Sequence, residues 1–553
     1  MRKEEKKFTS KKSVDWYDPR QLVKTGIKVL ISSIFGDFND KRELQAALHT
    51  NNDKKHFDHF SEEEELWIDY VADTGDGFDA TFTMAKLLAK PNLDAEGVMT
   101  QSGQILIMGG DQVYPAASRE EYNNRLKGPY AKAFRFDEED KSPPHVFAIP
   151  GNHDWYDGLT NFLKIFGQKR NIGNLRTQQV RSYFALKLPH NVWLLGIDVQ
   201  LNSDIDYNQI KYFQEILEAE SNADSKLIIC TAEPSWIHHS ANKPSAYNNL
   251  KFFEKKVLEL TGSTQILTLA GDLHHYARYL ADDGSLKITA GGGGAFMHPT
   301  QNLPNEIPNL REGKVNLQKT YPSSKKSQRL LFRNFWFAIS SLKLSIMLGT
   351  VYLFTSSILY LHFDGSATIS LSEVLAAAVM NPFVFAICLL FIFGCLGFSD
   401  TTPSDPKIKS KFPYWAAGFI HGVFQTLLLL LLFWKTANLP IFFPESTFLS
   451  WLSIQAIMFF LGGFIAGTVF GLYLMVSNFF LRNHDNEAYS SLRWTGYKNF
   501  IRIHITKNEL KIYPFGVKDV QKWKSKKKDG TGEFVPDREI KPELIENIDS
   551  IKL

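Results

Sequence analysis

Between Leu330 and Leu481 the chain is dominated by long apolar stretches, flanked on both sides by polar sequence. Four of them are long enough to cross a hydrocarbon core, which takes about 20 residues. They lie near 344–361, 373–398, 414–434 and 451–480. The segment 330–342 is apolar but carries Arg333, with Lys343 just after it, and reads as an interfacial helix. Basic residues set the orientation. Lys325, Lys326, Arg329 and Arg333 precede the first stretch, and Lys407, Lys409 and Lys411 sit between the second and third. Arg482, Arg493, Lys498 and Arg502 follow the fourth. The rule that positive loops stay inside then places both termini, and the soluble part, in the cytoplasm of a multi-pass membrane protein. The lipid bilayer is thus one expected partner.

Two features inside the stretches carry alternatives. Gly463, Gly467 and Gly471 form a face of small residues that permits close helix contact. Packing within the four-helix bundle is preferred for it; a homodimer contact is the other use. His421 and Gln425 share one face of the third stretch, near its expected cytoplasmic end. No acidic residue lies at mid-depth in any stretch, so an anchoring or lipid-access role is favoured over transport.

The rest of the chain is soluble in character. Net charge is +3 and charged residues are 22% of 553, so no overall field points to nucleic acid, and none is expected as a partner. Cys230, Cys388 and Cys395 are too few for a disulfide framework. The basic N-terminus has no apolar run behind it, so no secretory signal is expected.

Residues 60–300 alternate short apolar runs, rich in β-branched and aromatic residues, with helix-like ones. Strands are expected at 67–72, 104–108, 145–149, 182–188, 192–199, 227–231, 265–270 and 286–289, and helices at 80–89 and 207–220. This argues a layered α/β domain. Four glycine-punctuated segments follow such strands: Asp73-Thr74-Gly75-Asp76, Gly110-Asp111-Gln112-Val113-Tyr114, Gly151-Asn152-His153-Asp154 and Gly271-Asp272-Leu273-His274-His275. Loops at strand C-termini are where open α/β sheets bind ligands. Hard oxygen donors with imidazoles are what a two-metal hydrolytic site requires. Asp111 is placed to bridge two cations, and Asn152 offers a neutral oxygen. His153 points elsewhere and suits proton donation to a leaving oxygen, with Asp154 as its orienting carboxylate. Asp272 and His274, two apart, share a face on extended backbone.

In residue type and order the four segments resemble the calcineurin-like metallophosphoesterase superfamily, over about Asp69 to His298. The resemblance implies a four-layer α/β (α+β) sandwich at 61–325, holding two metal ions that activate a hydroxide for attack on phosphorus. It follows an N-terminal extension, 1–60. After it come the all-α membrane domain, 330–481, and a β-rich C-terminal segment, 482–553. Carried over, Asp73, Asp111 and His274 hold one ion, and Asp111, Asn152 and Asp272 the other, with His153 assisting the leaving group. Tyr114 stands where purple acid phosphatases place a metal-binding tyrosine, and His274 to Arg278 is similar to their segment there. Gly75 stands where many members have a histidine ligand. Asp272 replaces another histidine, and Glu233 is the ligand type nearest a third. Oxygen in place of nitrogen favours Mn or Fe, as divalent or mixed-valence ions, with Mg allowed and Zn less suited.

Other residues have two readings. Asp76 is a polar turn residue with a reserve role as ligand, and Asp79 suits a helix N-cap. His238 and His239 read as surface or substrate-side histidines. In the run Gly291–Gly294, the Gly292 and Gly293 amides either approach a phosphate or line a tight loop. His275 and His298 are further substrate-side candidates. The tail carries a β-hairpin expectation, 499–506 and 509–514, joined by Lys507-Asn508.

The expected function is a membrane-anchored, metal-dependent phosphohydrolase acting on a phosphomonoester or phosphodiester. The alternative is a non-catalytic membrane sensor or scaffold whose altered site binds a phosphorylated partner.

Overall fold

In the computed structural model the described residues are 8–35, 56–135, 143–199, 205–240, 245–363, 368–401, 410–439, 447–526, 532–548 and 550–553. Lys407 and Lys409, which helped set the expected orientation, lie outside them. The chain divides into two compact units. The first gathers Met1–Val14, Thr25–Ser324 and Trp494–Leu553; the second gathers Asp15–Lys24 and Lys325–Arg493.

The first unit has a mixed α/β core with two large sheets. In one, β1 (Leu66–Val71), β2 (Ile105–Met108) and β3 (His145–Ala148) run parallel and are wholly buried, as continuous apolar runs in a covered sheet should be. In the other, β4 (Val192–Gly196), β5 (Lys226–Thr231), β6 (Thr264–Ala270) and β7 (Leu286–Ala290) are parallel. The helix Tyr207–Glu220 starts where Asp206 accepts a hydrogen bond from the Gln209 amide at 2.9 Å. Its apolar face packs with Trp193 and Leu227 in a core of aromatic and branched side chains.

The expected hairpin forms as β8 (Lys498–Ile505) and β9 (Glu509–Val517). It does not stand as a separate β-rich unit. β8 pairs antiparallel with β1, so the tail extends the first sheet. The pairing is locked in the core, where Arg502 Nε donates to Asp69 Oδ1 at 2.8 Å and neither residue reaches solvent appreciably.

The second unit is helical. Leu342–His362, Phe412–Ala437 and Phe448–Leu481 are long and apolar enough to cross a membrane. The expected second span is instead two helices, Leu371–Met380 and Pro382–Gly397, bent by 90°. The break falls where Pro382 removes a donor and the Asn381 side chain accepts from the Phe383 and Val384 amides. The expected interfacial helix is a broken run: Ser324–Leu331, a 3₁₀ turn at Phe332–Trp336, and Phe337–Ser340. Gly463, Gly467 and Gly471 abut Gly349, Ala338 and Phe337 within the unit, a packing use of their small face. The Gln425 amide contacts His421 Nε2 at 3.2 Å and donates to the Ala466 carbonyl at 3.0 Å.

Candidate metal centre

Each acidic segment leaves its strand in an unusual backbone state. Asp73, two residues past β1, has φ 58°; Asp111, three past β2, has φ 47°; Asp272, two past β6, has φ 65°. Left-handed backbone at a non-glycine residue costs on the order of 1–3 kcal/mol and collects at functional sites. Here it turns all three carboxylates toward one another.

Tyr114 is the hub. Its hydroxyl lies 2.9 Å from Asp73 Oδ1, 3.1 Å from Asp111 Oδ2 and 3.0 Å from His274 Nε2. The Asp272 amide donates to Asp73 Oδ2 at 2.9 Å, and the His153 amide to Asp111 Oδ1 at 2.9 Å. His274 Nε2 lies 3.6 Å from Asp73 Oδ1, and the His298 ring stacks on His274 with centroids 3.9 Å apart. Asn152 joins from the turn after β3, and its buried Oδ1 has no hydrogen-bond partner among the described residues. A third group closes on Asp272. Glu233, two residues past β5, and His238, on the helix Ser235–Ser240, bring ligand atoms within 4.8 Å of one another and of Asp272.

His238, expected at the surface or on the substrate side, instead faces Asp272. It lies 3.5 Å from Asp272 Oδ2, measured from its Nε2. No local motif marks it, and the helix Ser235–Ser240 brings it back to the strand end that Glu233 follows. The position of Gly75 also has a physical reason. A Cβ there would overlap the Gln112 carbonyl oxygen, so this backbone has no room for a side chain, histidine included.

Other residues take roles different from those expected. Asp154 does not orient His153. Its carboxylate accepts from the Gly151 and Gln112 amides at 3.0 and 3.1 Å and from the Tyr122 hydroxyl, which braces the turn. The His153 ring is set by the Pro115 carbonyl, 2.8 Å from Nδ1. Asp76 accepts from the Val14 amide at 2.6 Å, a structural bond. Gly77 takes the N-cap position expected of Asp79, which instead accepts from the Trp523 amide at 3.0 Å. The Gly293 amide donates to the Ala72 carbonyl at 2.9 Å, and the Gly292 carbonyl accepts from Asn499 at 3.0 Å. Those bonds favour the tight-loop reading of the glycine run. His275 is buried beside His274.

The electrostatics follow from crowding. Burial, then Asp272, pushes the Asp111 carboxyl up to about 8. Burial, then Asp111 and Asp272, pushes Asp73 well above its ordinary value. Burial pushes Asp272 up as well, but the His238 hydrogen bond and the facing imidazoles together hold it below the usual range. Burial, with His298 and Lys498 nearby, holds His274 well below the usual imidazole value. Burial also lowers His153. Neutral imidazoles beside crowded carboxylates form a donor set suited to divalent cations.

Residues 66–276 match the family model of the calcineurin-like phosphoesterases. This part of the chain is a calcineurin-like phosphoesterase domain. The match takes in all four acidic segments, and β8 and β9 complete the domain's sheet from beyond it. Several solved structures also show similarity, among them these two. One is the purple acid phosphatase PPD1 from yellow lupin (Lupinus luteus) seeds, 10% identical, covering 47% of this chain and 48% of that one, with a TM-score of 0.29. The other is PhoD, 12% identical, covering 42% and 58%, with a TM-score of 0.26. The chain thus spans about half the length of each. Both scores are too low to speak for a shared overall fold. No curated protein matches the chain.

Proposed function

We propose that the chain is a metal-dependent phosphohydrolase held at a membrane, with a two-ion centre built on Asp111. The observation that carries this reading is the meeting of Asp73, Asp111 and Asp272, each at a left-handed strand end, around the Tyr114 hydroxyl and His274. The orphaned Asn152 Oδ1 fits the same reading, since a buried amide oxygen without a donor is costly and a cation satisfies it.

Asp73, His274 and Tyr114 would hold one ion; Asn152, Asp272, Glu233 and His238 the other; Asp111 both. Two such ions, Mn or Fe in preference to Zn, would supply charge neutralisation and a water acidified from about 15.7 toward 7. His153 enters as a neutral ring at neutral pH, because burial depresses its pKa. With Nδ1–H directed at the Pro115 carbonyl, Nε2 is the basic nitrogen. An arriving phosphoester brings negative charge beside the ring, raises its pKa, and so prepares it to protonate a leaving oxygen. The substrate is a phosphomonoester or diester; the membrane tether mildly favours one at the bilayer surface.

The strand pairing bears on how many times the apolar block would cross a membrane. β1 precedes the apolar block and β8 follows it, yet both lie in one hydrogen-bonded sheet. Were the block to span a membrane, the chain would enter and leave it on the same side, with an even number of crossings. This favours counting the bent pair Leu371–Met380 and Pro382–Gly397 as one crossing, for four in all. The basic flanks favour the cytoplasmic side.

The test is hydrolysis of an aryl phosphate and of its bis-ester by the purified protein with Mn²⁺ added. At least one is cleaved, and Asp111→Asn lowers the rate about a thousandfold while the protein stays folded, because several kcal/mol of charge stabilisation is lost. Full activity in that variant contradicts the scheme. Metal uptake with cleavage of neither ester turns the reading to the sensor alternative.

A further inference from the structure

The phosphoesterase unit carries a second candidate site, lined by none of the residues of the metal centre. It is a cavity of about 790 Å³ between the π-helical turn Tyr122–Lys127 and the helix Thr160–Ile165. Arg119, Lys127, Lys164 and Arg170 line it, with Tyr122 and Asn123 on the same wall. Glu120 is the one carboxylate among the lining residues, and Lys11 holds it at 2.8 Å. Arg119, Lys164 and Arg170 form no ion pair among the described residues. Three such cations around one hollow, against one carboxylate that Lys11 already holds, repel one another and favour a polyanion.

We propose that this cavity binds a ligand bearing phosphoryl groups. Guanidinium forks match phosphoryl oxygens in pairs, and lysines add point charge. The volume lies within the range of about 300–1,000 Å³ typical of small-molecule sites, which is generous for a single phosphate ion. The ligand is therefore an organic phosphate or a polyphosphate. A π-helical turn is rare in soluble domains and frequent at functional sites, and this one places Tyr122, Asn123 and Lys127 on the cavity wall.

The wall also reaches the metal centre by a short path. The Tyr122 hydroxyl donates to Asp154, and Asp154 accepts from the Gly151 and Gln112 amides. These amides flank Asn152 and Asp111 in sequence. Tyr122, itself buried, thus belongs both to the cavity wall and to the brace of the two ligand-bearing turns. The proposal does not rest on the hydrolytic reading, because the cavity's charge and lining stand whether or not the metal centre turns over.

The experiment is calorimetric titration of the full-length protein in detergent, with metal removed by chelation so that the metal centre does not compete for phosphate. Pyrophosphate is the probe in one arm and glycerophosphoinositol 4-phosphate, a soluble lipid headgroup, in the other. One saturable site is expected with at least one probe. Arg119→Gln/Arg170→Gln weakens it more than tenfold, while Lys211→Gln, on the exposed side of the helix Tyr207–Glu220, does not. Both arginines are exposed, so the double variant keeps the melting temperature of the parent. Tighter pyrophosphate binding assigns the site to a free phosphate compound; tighter headgroup binding assigns it to a lipid. Absence of saturable binding of either probe, or equal affinity in the double variant, overturns the proposal.

Discussion

The Asp272 amide donates to the Asp73 carboxylate at 2.9 Å, although 199 residues separate them. Asp73 ends a strand of one sheet and Asp272 a strand of the other. One hydrogen bond thus ties the two sheets together at the point where their acidic turns meet.

Glu233 and His238 face Asp272 from the end of β5 and the helix after it. Removing either donor should weaken the ion shared with Asn152 and leave the one at Asp73 and His274. Glu233→Ala and His238→Ala should each lower the tightly bound metal from two ions to one per chain, measured by elemental analysis after gel filtration. Two ions retained in both variants would show that neither residue is a ligand.

Gly75 lies against the Gln112 carbonyl with no space for a methyl group. Gly75→Ala forces the two loops apart, and overpacking of this kind costs about 1–3 kcal/mol. A melting temperature lower by a few degrees, with weaker Mn²⁺ binding, is expected; an unchanged value would mean that the loops yield freely.

Arg502 and Asp69 form a fully enclosed ion pair between β8 and β1. Arg502→Met leaves Asp69 as an uncompensated carboxylate, which typically costs about 3–5 kcal/mol. Thermal unfolding should show the loss. Asp69→Leu/Arg502→Met should recover much of it, whereas a double variant no better than the single one would place the energy elsewhere.

His145 opens β3, packed among Phe57, His59 and Phe60. Burial, then His59 and Arg176, lowers its pKa to about 4. Unfolded, the same imidazole titrates near 6.5, so between pH 4 and 6.5 the unfolded chain binds more protons than the folded one. Stability should therefore rise with pH across this window, by at most about 1.4 kcal/mol per unit. His145→Gln should flatten that part of the melting profile. A slope as steep as the parent's would assign it to other groups.

Much of the phosphoesterase unit was legible in its sequence. The eight expected strands all appear, with ends shifted by a few residues, because each is a short apolar run bounded by turn residues. The four acidic segments sit at strand ends for the same reason. What was hidden depended on tertiary contact. β8 alternates like any half-exposed hairpin strand, and nothing local says that β1 is its neighbour. Asp154 sits next to His153 in sequence, which suggested a pair, yet the turn sends its carboxylate to backbone amides. His238 lacked a motif, and only the folding of its helix over the end of β5 brings it to Asp272. The break at Asn381-Pro382 was marked by the proline itself, and the uninterrupted hydropathy around it masked the bend.

In the proposed centre Asp111 lies between two cations. Anomalous diffraction at the manganese edge, on crystals of the full chain soaked in Mn²⁺, reads this directly. Two peaks are expected, about 3.5–4 Å apart as in two-metal hydrolytic sites, with Asp111 touching both. Absence of any peak at these residues, or metal bound only away from Asp111, would contradict this arrangement.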